Sequence, residues 1–315
     1  MRVSDQLKII FLGTGAAAPS LTRGLPALAI RRQGKIILCD CGEGTQLRLM
    51  QAGLSPSKIH TICLSHLHGD HIFGLPGFLT SQQLFGRHAP LTITGPPGLS
   101  AYIETIAQIS KYTLDYPVKV VELSPDTTSN FRIDQFIVTA KNLRHSSTCL
   151  GYRFHEAEKP GKFDAIRADQ LGIPPGPQRR HLQHGESIQI ENRQIDPGDV
   201  VGPSIPGRVI TYCTDTRPCA AAVELAQNCD VLIHDSTFSD LYADRAEPTW
   251  HSTSREAATL AQEAGVGTLA LWHLSIRIQA EEETALLAQA RQVFAHTILP
   301  NDLDELLVPR RREPH

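Results

Sequence analysis

Residues 65–71, with the sequence SHLHGDH, concentrate side chains that bind metal ions. Neutral imidazole and carboxylate groups are ordinary ligands of Zn²⁺ and similar divalent ions. His66 and His68 are two residues apart and can converge on one ion, while Asp70 and His71, beyond the turn that the intervening glycine permits, can face a second. The spacing therefore favours a two-metal site, which suits displacement at phosphorus or at an acyl carbon.

Three later segments supply further candidate ligands in the same sequence context. Each candidate follows an apolar run that is typical of a buried β-strand, as the run at residues 59–64 is for the histidine cluster. The candidates are His145 after residues 136–140, Asp215 after residues 209–213 and His273 after residues 268–272. Because α/β proteins carry their chemistry beyond the carboxyl ends of strands, we expect these loops to complete the site.

The composition bounds the class of protein. With 315 residues, 41% hydrophobic and 20% charged, the chain resembles a globular protein with a substantial core. No apolar run approaches the roughly 20 residues of a membrane span, and the start of the chain is not a signal peptide, so we expect a cytoplasmic protein. Seven cysteines, an odd number, indicate reduced packing thiols. A net charge of −3 is not typical of a nucleic-acid-binding protein, so any contact with RNA would have to be made by a local cluster of basic residues.

Strand-like runs dominate residues 7–63, and helical and strand-like patterns alternate afterwards. This order predicts a sandwich of sheets covered by helices. Helices are predicted at residues 46–51, 78–85, 99–110, 220–226, 254–263 and 280–294, and strands at residues 91–94, 118–123, 231–234 and 269–272. Ser252 or Ser254 is the predicted N-cap of the helix over residues 254–263.

Residues 156–185 interrupt this pattern. They contain PGK at residues 160–162 and GIPPGP at residues 172–177, which cannot continue a helix or a central strand. The segment is either a protruding arm or a long structural loop. Loops of this length are uncommon unless they are functional or disordered.

The ordered set of histidines and aspartates resembles the metallo-β-lactamase superfamily. Five further segments narrow the resemblance to the ribonuclease Z family of endonucleases, which trim the 3′ trailer from precursor tRNA. These segments are residues 11–20, 40–46, 64–77, 215–218 and 251–253. The resemblance runs in order over nearly the whole chain and is to the short, single-unit form of the family.

The resemblance implies an α/β fold, the αββα four-layer sandwich, and two divalent metal ions per chain, with zinc expected. The implied ligands are His66, His68 and His145 for the first ion, Asp70, His71 and His273 for the second, and Asp215 bridging both. Asp70 would also be the base that orients or deprotonates the attacking water. His251 would be the general acid or a partner of Asp70.

The resemblance also assigns the irregular segment. It implies a single catalytic domain over residues 1–315, with residues 156–185 as a flexible inserted arm that clamps tRNA. The implied contact residues are Lys162, Pro174, Pro175, Gly176, Pro177, Arg179 and Arg180. Members of the family are usually homodimers in which the arm of one subunit serves the active site of the other.

Two departures from the family pattern concern residues near the ligands. Thr214 stands where a glycine usually precedes the bridging aspartate, and Asp235 stands where a glutamate is usual. Because all seven ligands are present, these changes bear on rate and substrate contacts more than on the chemistry.

The resemblance implies an endoribonuclease that cuts the phosphodiester after the discriminator nucleotide and leaves a 3′-hydroxyl. A hydrolase of small substrates on the same scaffold is the first alternative, and a small ester needs no clamping arm. A non-catalytic RNA-binding module that keeps metal for folding is the second. That module would be expected to have lost a ligand or the base, and the sequence has lost neither.

Overall fold

The structure is a computed structural model that describes residues 5–310. The prediction that the chain starts without a signal peptide concerns residues that lie partly outside this range. The chain divides into two compact units at Phe154/His155 and at Arg208/Val209. The first unit carries both large sheets, and the second consists of the intervening segment together with Arg310.

The described residues form strands of two to seven residues. They are β1 (Leu7–Gly13), β2 (Gly15–Ala16), β3 (Ala27–Arg32), β4 (Lys35–Cys39), β5 (Ile59–Cys63), β6 (Leu91–Gly95), β7 (Val118–Glu122), β8 (Ser129–Ile133), β9 (Phe136–Asn142), β10 (Leu150–Glu156), β11 (Ile188–Ile190), β12 (Arg193–Ile195), β13 (Val209–Cys213), β14 (Val231–Asp235), β15 (Thr268–Trp272), β16 (Leu274–Ser275), β17 (Thr297–Ile298) and β18 (Glu305–Val308).

The helices of the described chain are short to medium in length. They are α1 (Thr45–Gln51), α2 (Gly69–Ile72), α3 (Gly74–Leu84), α4 (Leu99–Ser110), α5 (Ala165–Gln170), α6 (Pro177–Gln183), α7 (Ala220–Ala226), α8 (Ala243–Ala246), α9 (Ser254–Glu263) and α10 (Ala280–Val293). Between the described strands and helices, 3₁₀ turns span Pro56–Lys58, Pro197–Asp199 and Asp240–Tyr242. No described helix is long and apolar enough to cross a membrane.

Two seven-stranded sheets form the centre of the first unit. Their strand orders are β18-β1-β3-β4-β5-β6-β7 and β17-β15-β14-β13-β10-β9-β8. Along β1, Ile9 and Phe11 belong to the core between the sheets, whereas Ile10 and Leu12 belong to a second core. Side chains of a strand alternate between its two faces, so this sheet is buried on both sides.

Helices cover the outer face of each sheet. α1, α3 and α4 contribute Leu49, Phe78 and Leu99 to the core outside the first sheet. α7 and α10 contribute Leu225 and Leu286, and α9 contributes several alanines, to the core outside the second. The layers are therefore helix, sheet, sheet and helix, and the predicted α/β sandwich is confirmed.

The predicted N-cap of α9 is wrong by one residue. Thr253 is the cap: its hydroxyl accepts a hydrogen bond from Glu256 N at 3.2 Å, and the Glu256 carboxylate accepts one from Thr253 N at 2.8 Å. This reciprocal pair satisfies two helix donors that a single serine would leave to water. The hydroxyl of Ser252 instead donates to the carbonyl of Thr216 at 2.5 Å.

The second unit has a small apolar core of its own. α5, α6 and the hairpin of β11 and β12 bring five buried side chains together, namely Ala168, Ile173, Leu182, Ile195 and Val200. The Pro/Gly run at residues 172–177 separates the two helices, and Pro177 begins α6, where a backbone N–H is not needed. The unit includes the predicted arm, residues 156–185, and continues to Arg208.

Candidate active site

The predicted ligands lie in loops that leave the carboxyl ends of strands. His66 follows the end of β5, Asp215 follows the end of β13 and His273 immediately follows β15. His145 lies in the connection between β9 and β10. The single turn of α2 carries Asp70 and His71. The two sheets thus supply side chains from distant parts of the sequence to one place.

The structure brings all seven predicted ligands together in two groups. Within each group the nitrogen and oxygen atoms lie within 4.8 Å of one another. The first group is His66, His68, His145 and Asp215, and the second is Asp70, His71 and His273. His66 and His71 are fully buried, whereas His68 is exposed. The site is therefore deep on one side and open on the other.

The carboxylate of Asp215 faces both groups. Its Oδ1 lies 3.2 Å from His71 Nε2 and 3.3 Å from His273 Nε2. Its Oδ2 lies 3.5 Å from His66 Nε2. One oxygen is thus directed to each group, which is the arrangement that a bridging carboxylate needs.

The donor set fits divalent metal ions. His66 Nε2 is buried and has no hydrogen-bond partner among the described residues. Burial, together with the neighbouring His71, lowers the pKa of His66, which favours the neutral imidazole that binds metals. A buried imidazole nitrogen without a partner is costly, and a shared cation removes that cost.

Asp70 contacts the second group from its edge. Its Oδ2 lies 3.6 Å from His71 Nε2 and 3.5 Å from His273 Nε2, and it accepts a hydrogen bond from Ala17 N at 2.9 Å. Although burial opposes ionisation, the hydrogen bond from His273 and the charge of His71 hold the pKa of Asp70 well below its usual range. The carboxylate is therefore ionised and able to accept a proton or bind a cation.

A buried aspartate orients His71. Asp40 Oδ2 lies 2.7 Å from His71 Nδ1 and accepts hydrogen bonds from the hydroxyls of Ser65 at 2.8 Å and Tyr212 at 2.7 Å. Its Oδ1 accepts a third from Ser65 N at 2.7 Å. Such partners fix the ring and its tautomer, leaving Nε2 as the ligand atom. The sequence alone indicates no role for Asp40, although it follows β4 as the predicted ligands follow their strands.

Hydroxyl groups hold two other imidazoles. Thr237 Oγ1 lies 3.0 Å from His273 Nδ1 and donates to Asp235 Oδ1 at 2.7 Å. Ser65 Oγ lies 2.9 Å from His66 Nδ1. In each case the nitrogen away from the carboxylate of Asp215 has a polar partner, so the ring orientation is set by the surrounding protein.

His251 is paired with a fully buried carboxylate. Its Nδ1 lies 2.8 Å from Asp235 Oδ2, and the backbone N–H groups of Thr216 and Thr237 donate to the same carboxylate, each at 2.9 Å. Although burial opposes the charged form, the Asp235 carboxylate raises the pKa of His251 to about 9. In the sequence Asp235 stood out only as a departure from the family pattern.

Three polar residues of the site have strained backbone. Asp40, Asp215 and His273 have φ values of +57°, +47° and +64°. Residues other than glycine rarely adopt this left-handed conformation. They keep it where contacts with the surrounding protein hold the backbone in place. Each of the three directly follows a strand end or lies two residues beyond it, so these residues adopt the left-handed conformation where strands turn into site loops.

A cavity of about 540 Å³ opens beside the two groups. Its wall includes the predicted ligands His68, Asp70, Asp215 and His273 together with His251. Two aromatic side chains and one arginine also line it, namely Phe73, Phe238 and Arg277. A flexible polymer can therefore place one phosphodiester against the carboxylates and the imidazole of His251.

The predicted arm residues lie in the second unit and differ in their environment. Lys162, Arg180 and residues 174–177 are exposed. Arg179 is engaged within the unit, where its guanidinium donates to the carbonyl of Ile173 and pairs with Asp169. The predicted role of these residues in RNA binding stays a prediction.

Two comparisons with known proteins indicate one family. A ribonuclease Z from Methanosarcina mazei is 40% identical over 97% of this chain and 99% of its own length. The crystal structure of human tRNase Z, short form, superposes with a TM-score of 0.71 and 28% identity, covering 96% of this chain and 99% of the human one.

Two further comparisons are less specific. The metallo-β-lactamase fold protein YhfI from Bacillus subtilis covers 96% of this chain and 99% of its own with a TM-score of 0.68, and at 21% identity it shows the fold alone. A family model described as Anti-Pycsar protein Apyc1 matches residues 7–107. Taken with the relative that is 40% identical over nearly the full length, these findings mean that the chain has the metallo-β-lactamase fold and belongs to the ribonuclease Z family.

Proposed function

We propose that this protein is a metal-dependent endoribonuclease that removes the 3′ trailer from precursor tRNA. Cleavage occurs at the phosphodiester after the discriminator nucleotide and leaves a 3′-hydroxyl. The observation that carries the proposal is the position of the Asp215 carboxylate between two groups of imidazoles and carboxylates, beside the His251–Asp235 pair. Full-length similarity to ribonuclease Z proteins supports the RNA substrate over the small-substrate alternative.

In this proposal the two groups would hold two zinc ions. His66, His68 and His145 would hold one, Asp70, His71 and His273 would hold the other, and Asp215 would offer one carboxylate oxygen to each group. Two divalent cations there would acidify a water molecule and neutralise charge on the phosphate. The protein orients the imidazoles through Asp40, Ser65 and Thr237.

Asp70 and His251 carry out the two proton transfers of the reaction, one from the attacking water and one to the leaving group. Asp70, an ionised carboxylate on the cavity wall, orients the attacking water and accepts its proton. His251 lines the same cavity and donates a proton to the departing 3′ oxygen of the discriminator nucleotide. Asp235 is the positioning residue, because it holds His251 Nδ1 at 2.8 Å and stabilises its protonated form.

The second unit is the proposed grip on the tRNA. Its exposed cations, among them Lys162 and Arg180, contact phosphates of the RNA and so position the trailer junction. The proposal includes a homodimer in which the arm of one subunit serves the active site of the other, and a cytoplasmic location.

Incubation of the purified protein with a precursor tRNA that carries a labelled 3′ trailer tests this function. One discrete cut after the discriminator nucleotide is expected in the presence of Zn²⁺, and none in the presence of a chelator. A matched RNA without the tRNA fold serves as the control substrate. Progressive shortening from the 3′ end, or equal cutting of both RNAs, would contradict the proposal.

A further inference from the structure

A second cavity lies in the first unit and shares no lining residue with the active-site cavity. It has a volume of about 650 Å³ and is lined by residues of the parallel strands β4, β5, β6 and β7, including Lys35, His60, Thr92 and Lys119. None of the residues that line this cavity belongs to the two ligand groups.

A row of polar side chains occupies the inner face of the first sheet at this cavity. In the strand register Thr61 lies beside Thr92, and Thr92 lies beside Lys119. Lys119 alternates with Val118 and Val120, which pack under the helices, so it lies on the face that looks into the sandwich.

Thr61 and Thr92 share that inner face. Cys63, two residues after Thr61, belongs to the core between the sheets, and Ile93, next to Thr92, belongs to the core under the helices. The adjoining Thr94 is buried, and its hydroxyl has no hydrogen-bond partner among the described residues. Three hydroxyls and an ammonium group therefore line this face at the cavity: Thr61 and Thr94 are buried, Thr92 is half-buried and Lys119 is exposed. A buried hydroxyl without a partner, as at Thr94, is the informative exception.

The cavity also has apolar side chains on both sheets. Phe131 and Ile133 of β8, the edge strand of the second sheet, line it together with Val121 of β7 and Leu123 just beyond that strand. All four side chains pack against the core between the sheets. The cavity thus has a polar row on the first sheet and an apolar patch that both sheets contribute, with further polar residues of β8 at its edge.

The charge at the cavity is positive. Lys35 and His60 are 2.6 Å and 2.9 Å from the two oxygens of Asp134, so these three groups satisfy one another. Within the part of the chain that the structure describes, Lys119 forms no ion pair. Arg132 also lines the cavity. The unneutralised cations face no further carboxylate among the residues that line it.

We propose that this cavity binds a small amphiphilic anion, a carboxylate or phosphate attached to an acyl or aryl body. Lys119 and the hydroxyls of Thr61 and Thr92 hold the anionic group by charge-assisted hydrogen bonds. Phe131, with the neighbouring aliphatic side chains, covers the apolar body. A concave, largely apolar site with a few convergent polar groups is the ordinary form of a small-molecule site.

Titration of the full-length protein with the fluorescent anion 1-anilinonaphthalene-8-sulfonate tests the proposal. We expect saturable binding of one probe per chain. Lys119→Gln and Thr92→Val are each expected to weaken it about tenfold, since each removes one contact to the anionic group. Lys111→Gln, at an exposed lysine outside the cavity, is the matched control and leaves the affinity unchanged. All variants should retain circular dichroism spectra and precursor-tRNA cleavage like those of the parent.

Competition then identifies the class of ligand. Displacement of the probe by decanoate supports an acyl anion, and displacement by adenosine monophosphate supports an aryl phosphate. Displacement by neither, absence of a saturable site, or equal affinity in Lys119→Gln and Lys111→Gln would overturn the proposal. Displacement by precursor tRNA would assign the cavity to RNA and also overturn it. Loss of RNA cleavage in the parent protein bears on the proposed function and not on this cavity.

Discussion

The hydroxyl of Thr214 donates a hydrogen bond to Asp215 Oδ1 over 2.7 Å. Thr214 has no exposed surface, and the same Oδ1 is the oxygen that faces His71 and His273. The residue that departs from the family pattern therefore holds the carboxylate that faces both groups of predicted ligands. A glycine at this position could not make this contact.

Thr214→Val should weaken metal binding while leaving the fold intact. Valine fills the same volume but removes the donor, and loss of a partner that orients a ligand typically costs about 10- to 100-fold in metal affinity. Thr214→Ser keeps the donor and is expected to bind metal like the parent. Competition with a chromogenic chelator measures both affinities. Equal weakening by Ser and Val would indicate a packing effect and contradict the hydrogen-bond role.

Elemental analysis of the purified protein should approach two divalent ions per chain. His66→Ala and His68→Ala are each expected to lower that content and to abolish cleavage, because each removes a donor of the first group. His60→Ala, outside the two groups, is a matched control and keeps both ions. A fully active protein with one ion per chain would contradict the scheme, since Asp215 would then bridge nothing.

Asp70→Ala should remove nearly all turnover and leave the affinity for precursor tRNA almost intact. Loss of a base that also binds metal costs on the order of 10³-fold or more in rate, whereas contacts to the RNA backbone are untouched. Single-turnover cleavage and filter binding separate the two quantities. Asp70→Asn keeps the shape and an oxygen for Ala17 N. If RNA affinity fell in parallel with rate in both variants, the residue would be structural.

His251→Ala is expected to lower the rate by roughly 10²-fold, the typical contribution of a positioned proton donor. Asp235→Asn is expected to change how the cleavage rate depends on pH. Asp235 raises the pKa of His251, so its removal lowers that pKa and the protonated acid form is lost at lower pH. The alkaline limb of the rate profile should therefore move to lower pH. An unshifted limb in Asp235→Asn would exclude His251 as the acid that this limb reports.

Lys162→Ala combined with Arg180→Ala should weaken cleavage of precursor tRNA but spare a small chromogenic phosphodiester. Both side chains are exposed, and phosphate contacts lose strength as salt rises, so the variant should also flatten the dependence of KM on salt. Deleting residues 162–180 is a poorer test, because it removes Ala168 and Ile173 from the core of the second unit.

A matched pair of exposed lysines in the first unit provides the control for the arm. Lys58→Ala with Lys111→Ala removes the same charge and should leave both activities and the salt dependence unchanged. Equal loss on the two substrates in the Lys162/Arg180 variant would mean that the arm supports the fold or the dimer.

Elements with a strong local pattern could be predicted from the sequence to the residue. The ranges of α7, α9 and β13 agree with the predicted ones, because each is a continuous amphipathic or apolar run between clear breaks. β2 and β16 were missed. Each has two residues, and they pair with each other across the chain, with Gly15 beside Leu274, which no local pattern reveals.

The seven candidate ligands, which the fold brings together, could be predicted because their residue types and their positions after apolar runs are both visible in the sequence. The partners Asp40 and Asp235 were not assigned, since their roles depend on contacts with His71 and His251 that are distant in sequence. The sequence also did not indicate how far the second unit extends beyond residue 185. Its last residue, Arg208, forms a buried ion pair with Glu156, and only the fold brings these two together.

The two ends of the second unit meet. Glu156 N donates to Arg208 O at 2.8 Å, at the point where β10 leaves the sheet and the chain returns to its neighbour β13. An insertion whose ends already touch adds little loop-closure entropy to the protein that hosts it, whatever its length. The second unit can therefore be lengthened, shortened or replaced by a tight turn without changing the register of the strands that carry the predicted metal ligands.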